Sequence, residues 1–477
     1  MTEHLRKRFR NSAIFIASIV VGLASITGQS LWMDEGSTVF KALIPNLGDW
    51  WRMTLQLGGS DVQMPVYMFL VWVWEKLGAS SEYALRAVNL PWLILGALAL
   101  RNVRFWPLVF LTSPFALYYT GELRPYAMQA AAGAVAAAAI LRVHSGVGGF
   151  PAFKGLHATA AAAIFLAACS LTGAVWAAAL WICVLILRPD WLKSPGFWRR
   201  ILPWLPVAAI LGGFYGFTLV KGYRAVGAEG GIASMLFGFY ELMGLMGLGP
   251  GRNEIRANPT CIAGSFPVLI PAAGCFLAAW LTGTLAWWRN VNQRTRIAII
   301  TSIAIPLLFL AAVGLLMDFR ILGRHLSPVL PALLLPIALC LDRRTTPSLR
   351  WSLPAWAVVA FNIVSVVQLR VLEKHARDDY RSAAIIAFKA LNEGKRIWWQ
   401  ADMNATRYYA YRQGGMPMVN AIQVLESDPP SSLMFADLVI INRPDLRFRG
   451  ADYQSELRRN GFEPVSKFTG FEIWSAR

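Results

Sequence analysis

Charge is scarce in this chain of 477 residues: Asp, Glu, Lys and Arg make up 15% of it, against about 25% in an ordinary soluble domain. Apolar residues fill the gap, reaching 56%, and they gather in repeated blocks of about 16–22, the length scale of bilayer-crossing helices. Such blocks exclude a soluble enzyme and a disordered chain. They also exclude an outer-membrane barrel, whose strands are short and alternating. Cysteine is sparse. Cys169, Cys183, Cys275 and Cys340 lie inside apolar blocks and only Cys261 lies in a polar loop, so there is no disulfide framework and no thiolate metal site. Internal repeats, low-complexity tracts, zinc-ligand spacing and nucleic-acid-binding signatures are absent. Acids are few, 27 against 45 Lys and Arg, for a net charge of +18. The basic residues sit mostly at the ends of apolar blocks, where they mark topology rather than nucleic-acid binding.

The apolar runs predict an α-helical polytopic membrane protein of about 11 transmembrane helices, at 13–31, 84–100, 105–120, 126–141, 156–171, 173–187, 201–219, 265–286, 297–316, 326–341 and 352–370. The first run follows Arg6, Lys7, Arg8 and Arg10. This has the shape of a signal peptide, but with many runs following it reads as a retained first helix whose basic flank holds the N-terminus in the cytoplasm. Alternate connections then carry Arg101, Arg104, Arg142, Arg188, Arg289 and Arg343 on the cytoplasmic side of a bacterial inner membrane. The opposite, periplasmic loops collect Asp34, Glu35, Asp61, Glu122, Glu229, Glu241 and Asp318. Acids count little for insertion, so their crowding on one side calls for a chemical reason.

Within a first periplasmic loop at 31–83, Pro65–Leu77 is too short to span and reads as an interfacial or re-entrant helix. The connection at 220–264 is long, Gly-rich and carries Glu241, Arg252 and Arg256, as a lid or a mobile loop does. Residues 1–370 form the membrane domain. The composition then changes, and 371–477 reads as a small periplasmic α/β domain, with helices at Arg381–Leu391, Asn404–Arg412 and Tyr453–Asn460 and strands at Arg396–Trp399, Leu438–Ile441 and Phe471–Trp474.

Four polar constellations stand at the periplasmic ends of these runs. Trp32-Met33-Asp34-Glu35-Gly36 follows the first helix; adjacent residues point apart, so at most one of the acids faces a shared site. A partly desolvated carboxylate there suits a general base, and it equally suits a solvated helix cap. Asp61 precedes Pro65 and Tyr67, either as ligand contacts or as the cap and aromatic belt of an interfacial helix. Glu122, Arg124 and Tyr126 join two runs; Arg124 either pairs with Glu122 or grips a phosphate. The stretch from Asp318 through Arg320, Arg324 and His325 to Pro328 sets cationic groups on the side where positive charge is disfavoured, which suits a lipid-linked phosphate or an interfacial basic cluster.

In this order, the pieces resemble the GT-C class of membrane glycosyltransferases, in particular the dolichyl-phosphate-mannose protein mannosyltransferase family and its bacterial relatives, which include the aminoarabinose lipid A transferase. Asp34-Glu35 matches the acid pair of that family's first external loop, Met64-Pro65-Val66-Tyr67 its Pro-Pro-x-Tyr-like element, and Arg86-Ala87-Val88-Asn89 its pattern ahead of a span. Glu122, Arg124 and Tyr126 match a bacterial Glu-x-Arg-x-Tyr motif, Arg324-His325 to Pro328 and Pro331 the late Arg-Tyr motif, and Asp379-Tyr380-Arg381 a C-terminal segment. Met64 stands where proline is common and His325 where tyrosine is common. The resemblance implies a GT-C fold and an inverting transfer of sugar from a polyprenyl-phosphate donor to a hydroxyl of a lipid, glycan or protein. It casts Asp34 as base. It casts Glu35 as a catalytic residue beside Asp34, Arg86 as substrate-binding, and Arg124, Arg320, Arg324 and His325 as cations for the leaving phosphate, with Glu35, Asp61 and Glu122 orienting Asp34, the sugar or Arg124 and Trp32, Trp50, Trp51, Tyr67 and Tyr126 near sugar or lipid. No cofactor is required; a carboxylate-bound divalent ion is compatible with the scheme. The rivals are a multi-span transporter, which would show inverted repeats and midplane charges, and a non-catalytic scaffold, which leaves the first-loop acids without purpose.

Overall fold

The computed structural model describes residues 3–145, 154–222, 231–317, 319–346, 348–401, 403–414, 436–442 and 452–476. Expectations resting on Glu229 and Asp318 lie outside them. Among the described residues, six helices are long and apolar enough to cross a membrane: Tyr126–His144, Pro195–Val220, Pro259–Trp288, Gln293–Leu316, Gly323–Leu341 and Leu349–Val371. The N-terminal helix Glu3–Ser25 and the shorter apolar helices Lys154–Cys169 and Leu171–Leu187 join the bundle. Ile270, Leu308 and Leu353 are exposed on its outside. A contiguous apolar exterior of this kind belongs against lipid, and the chain is a multi-pass membrane protein.

Two runs differ from the expected single helices. The run at 84–100 is Glu82–Arg86, a tight turn at Ala87–Asn89 and then Leu90–Ala99. The run at 105–120 is split into Trp106–Leu111 and Pro114–Thr120. Pro114 has no N–H to continue the first helix. Ser113 ends it and caps the second by accepting from the Ala116 N–H at 3.4 Å. The break turns the polar segment 121–125 back into the protein.

The first loop builds three helices: Met33–Ala42, Leu47–Leu57 and Pro65–Lys76. Pro65 opens the last, at the first helical position that tolerates it. After the last apolar helix, Asp379 caps Tyr380–Asn392 by accepting from the Ser382 N–H. Strands β1 (Ile397–Gln400), β2 (Leu438–Asn442), β3 (Phe462–Phe468) and β4 (Phe471–Ala476) form a sheet in the order β1-β2-β4-β3. β1 and β2 are parallel, with Trp398 opposite Val439; the other pairings are antiparallel, with Ile440 opposite Ile473. Strand β3 carries no sequence signal because all but its ends is exposed.

This C-terminal part is docked tightly on the first loop. A Cβ on Gly36 would lie 2.3 Å from the Ala405 Cα, so only glycine lets helices Met33–Ala42 and Met403–Gly414 approach this closely. The Tyr409 hydroxyl accepts from the Leu31 N–H at 2.7 Å and donates to Glu82 at 3.2 Å. The connection expected as a mobile lid is, in its described part, packed structure. It holds helices Ile232–Leu242 and Arg252–Ala257, and Glu241 is buried.

Candidate active site

The two acids of the first loop have opposite fates, as neighbours on a helix must. Glu35 is fully buried. Its carboxylate receives Arg86 Nε at 2.9 Å, Arg86 Nη2 at 2.6 Å, Arg377 Nη1 at 2.6 Å and the Leu123 N–H at 2.8 Å. Burial alone would raise its pKa, but Arg377 and Arg86 outweigh that and hold it down at about 2. Glu35, expected as a catalytic residue beside Asp34, therefore stays ionised with both oxygens held by protein donors. Arg86, expected to bind substrate, is also consumed. Its remaining donors go to the carbonyls of Thr27 at 2.7 Å, Gln29 at 2.6 Å and Ser30 at 3.1 Å. It ties the end of the first helix to the loop.

Asp61 forms a second saturated centre. It sits in the turn Gly59–Gln63 rather than capping the Pro65 helix, and it takes Lys41, Arg124 and, at 2.9 Å, the Ser37 hydroxyl. Burial pushes its carboxyl up, and Arg124 and Lys41 together bring it well below the usual range. Arg124 thus pairs with Asp61 and not with Glu122. It also reaches Thr38 at 3.0 Å and Ser60 at 3.0 Å. Tyr67 is buried and donates to Asn89 at 3.1 Å, and Asn89 in turn donates to the Glu122 carbonyl at 2.5 Å. Both Tyr67 and Arg124 hold the wall of the site.

Asp34 remains half-buried, and Arg324 meets it at 3.3 Å across 290 residues of sequence. From this pair a ring of contacts closes. Arg324 lies 5.6 Å over the Tyr126 ring, Tyr126 packs on Tyr119 at 5.1 Å, and Tyr119 on Tyr118 at 5.2 Å. Arg377 and Arg252 cover Tyr118 at 5.5 and 5.8 Å, and Arg252 lies 5.0 Å over Trp32, two residues before Asp34. Glu122 borders this ring, 3.9 Å from Arg377, fully buried and with neither carboxylate oxygen hydrogen-bonded. Burial pushes its carboxyl up despite Arg377 and Arg252. Glu241 enters from helix Ile232–Leu242 and accepts from the Gly323 N–H at 2.9 Å. A Cβ on Gly238 would lie 2.9 Å from the Gly323 nitrogen, so glycines permit that crossing.

His325, expected as an imidazolium near phosphate, instead accepts the Leu322 N–H at Nδ1 over 3.1 Å and packs on Phe319. A nitrogen that accepts carries no proton, so this ring shapes the turn. Arg320 is exposed, and Trp50 and Trp51 pack with Phe69, Trp72 and Phe214 in a separate aromatic cluster. Arg252, Arg377, Lys41 and Glu241 are charged residues that sequence reasoning did not assign to the site. Arg252 had a signal, an arginine beside Glu241 in a loop where cations are disfavoured. Arg377 and Lys41 had none beyond their charge. Among the described residues, no three His, Cys, Asp or Glu side chains converge as metal ligands.

A separate apolar cavity of about 430 Å³ lies among the helices, and along the helix after Arg324 its lining begins at Pro328, four residues on. Its wall includes Pro328, Ala332, Leu335 and Leu339, one face of the helix that Arg324 opens, together with Trp176 and Trp280. Leu285 and Ile300 on its rim are exposed to the lipid side.

No family model matches the chain, and no curated protein matches it. Among solved structures, the apo form of ArnT from Cupriavidus metallidurans is similar, with a TM-score of 0.55 at 14% identity over 97% of each chain. ArnT bound to undecaprenyl phosphate gives 0.46 at 14% identity, again over 97% of each chain. The arabinofuranosyltransferase AftD from Mycobacteria gives 0.40 at 13%, with 98% of this chain against 40% of that one. The identity to apo ArnT is low enough that the likeness speaks for the fold alone, and that fold is GT-C.

Proposed function

We propose that this chain, which shares the GT-C fold of ArnT, transfers a sugar from a polyprenyl-phosphate donor to a hydroxyl acceptor at the membrane face that carries the first loop. The observation that carries the reading is the Asp34–Arg324 pair, 3.3 Å apart, in a chain whose apolar cavity of about 430 Å³ is lined from Pro328 onward by the helix that follows Arg324. An isoprenoid tail fits that cavity, with its phosphate beside Arg324 and Arg252. Asp34 takes the proton of the acceptor hydroxyl as that oxygen attacks the anomeric carbon. The bond from this carbon to the phosphate oxygen breaks, and polyprenyl phosphate leaves with the sugar inverted on its new oxygen. Fixed cations in a water-poor site favour the charge that builds on the leaving phosphate, an effect worth about 3–4 kcal/mol per donor in comparable sites.

In this scheme Glu35, Asp61, Arg86 and Arg124 hold Asp34 in place without touching the reacting atoms. The N-terminus lies in the cytoplasm of a bacterial inner membrane, and residues 371–477 lie in the periplasm as a domain that braces the first loop. The chemistry needs no cofactor. Transfer from a radiolabelled polyprenyl-phosphate-sugar pool by purified protein tests the reading. Asp34→Asn should lower turnover by about 10²–10⁴-fold, the usual contribution of a general base. Equal turnover in both proteins would remove Asp34 as the base.

A further inference from the structure

At the end of the bundle opposite the Asp34–Arg324 pair lies a cavity of about 350 Å³ with two arginines in its wall, Arg104 and Arg343. Helix Gly323–Leu341 fixes its place. Arg324 opens that helix, and Leu341, its last residue, lines the cavity. The distance along it is roughly 25–30 Å, close to the thickness of a hydrocarbon core. The cavity therefore sits at the other membrane face, apart from the candidate active site.

Three segments build it. Arg104 and Phe105 come from the tight connection before Trp106–Leu111, where the Val103 N–H donates to the Leu100 carbonyl at 2.9 Å and the Trp106 N–H to the Val103 carbonyl at 3.2 Å. Arg343 comes from a turn in which the Thr345 N–H donates to the Asp342 carbonyl at 2.9 Å and the buried Thr346 hydroxyl to the Cys340 carbonyl at 2.6 Å. Leu349, Ser352 and Trp356 share one face of helix Leu349–Val371. Phe105 and Trp356 meet edge to face at 6.0 Å, and Leu349 and Trp356 are exposed on the outside of the bundle.

Among the described residues, no carboxylate lines the cavity. Asp342, the acid next to Arg343, accepts the Arg344 N–H at 3.1 Å instead. Arg104 lies 5.1 Å over the Phe105 ring, a contact that holds a guanidinium without neutralising it. Helix Leu349–Val371 starts at the cavity, and its N-cap Ser348 makes no side-chain cap bond, so the positive end of the helix dipole adds to the two cations. The apolar floor and the opening toward lipid match a phosphate joined to acyl chains better than a freely soluble anion. Topology accounts for arginines at this face. It does not account for their convergence on a walled pocket with aromatic edges.

We propose that this cavity binds an acidic phospholipid of the leaflet at that face. The phosphate pairs with Arg104 and Arg343, and the acyl chains run past Leu349, Leu353 and Trp356 along the exposed side of the helix.

Native mass spectrometry of the full-length protein, titrated with cardiolipin, phosphatidylglycerol and phosphatidylethanolamine, tests the site. Wild type should bind both acidic lipids more tightly than the zwitterionic one. Arg104→Gln combined with Arg343→Gln should weaken cardiolipin by roughly 30-fold, while Arg104→Lys combined with Arg343→Lys should keep most of the affinity. Arg289→Gln combined with Arg294→Gln, a pair that the sequence places at the same face, should leave binding near wild type. Arg104 and Arg343 are exposed, so all these proteins should share the wild-type unfolding temperature in the absence of lipid. Inorganic phosphate at constant ionic strength should not displace cardiolipin. Equal weakening by the two Gln pairs, or no preference for acidic lipid in wild type, would overturn the site and leave only a diffuse basic surface. Displacement by inorganic phosphate in wild type would assign the pocket to a soluble anion and overturn the phospholipid.

Discussion

Glu35 and Asp61 on one side, and Asp34 and Glu122 on the other, are carboxylates of the same protein face put to different uses. Every oxygen of the first pair meets arginine, lysine or a backbone N–H. Asp34 keeps one ion pair at 3.3 Å and partial exposure, and the Glu122 carboxylate keeps no hydrogen bond. A buried acid whose bonds are all satisfied contributes to folding and has little left to offer a substrate. An acid left short of partners makes the protein less stable than it need be, and chemistry or binding is the return. The contrast teaches that the Asp-Glu pair is a division of labour: Glu35 anchors the helix so that Asp34, one residue earlier, projects toward Arg324.

This comparison breaks most sharply at its anchored side. Glu35→Gln or Arg86→Gln strands a buried charge and should cost about 3–5 kcal/mol, seen as a large fall in unfolding temperature in detergent with donor binding lost in proportion. On the other side, Arg324→Gln should leave that temperature near wild type while lowering turnover by about 10²–10³-fold; a fall in stability comparable to that of Glu35→Gln would erase the distinction.

A third substitution probes the contact that braces both. Gly36→Val pushes a side chain into the Ala405 backbone and should destabilise by about 1–3 kcal/mol, with faster proteolysis of the C-terminal part as the readout. Narrowing the apolar cavity by Ala332→Trp should raise the KM for a polyprenyl donor by roughly tenfold, about the effect of losing a few buried methylenes, with kcat little changed.

The smallest effect is a pH dependence. The Glu35 pKa is depressed to about 2 in the folded protein, so its stabilisation is complete above the ordinary carboxylate range and is lost as pH falls toward 2. The stability difference between wild type and Glu35→Gln should therefore shrink between about pH 5 and pH 2. A difference that stays constant over this window would place the pKa of Glu35 elsewhere.

Much of the fold is legible in the sequence because a bilayer forces its helices to be long and apolar, and hydropathy reads that directly. The breaks at Asn89 and Ser113 are marked by Pro91 and Pro114, which a hydropathy reading of the runs passes over. The acids at 34, 35, 61 and 122 are legible as a group because they crowd one membrane face. Their separate roles are not. Which of two adjacent acids turns inward depends on Arg86 and Arg377, 51 and 342 residues away from Glu35. Arg124 had two plausible partners, and only the turn at Gly59–Gln63 brings Asp61 to it. Arg377 and Lys41 looked like ordinary basic residues until the packing of the C-terminal part and the helix Met33–Ala42 aimed them inward.

The most direct test measures sugar transfer and unfolding temperature on the same preparations of Asp34→Asn and Glu35→Gln. Asp34→Asn should keep the wild-type unfolding temperature and lose transfer, whereas Glu35→Gln should lose stability first and transfer only as folded protein disappears. Wild-type transfer by a well-folded Asp34→Asn protein, or a stable Glu35→Gln protein that is catalytically dead, would contradict the division between a working acid and an anchoring one.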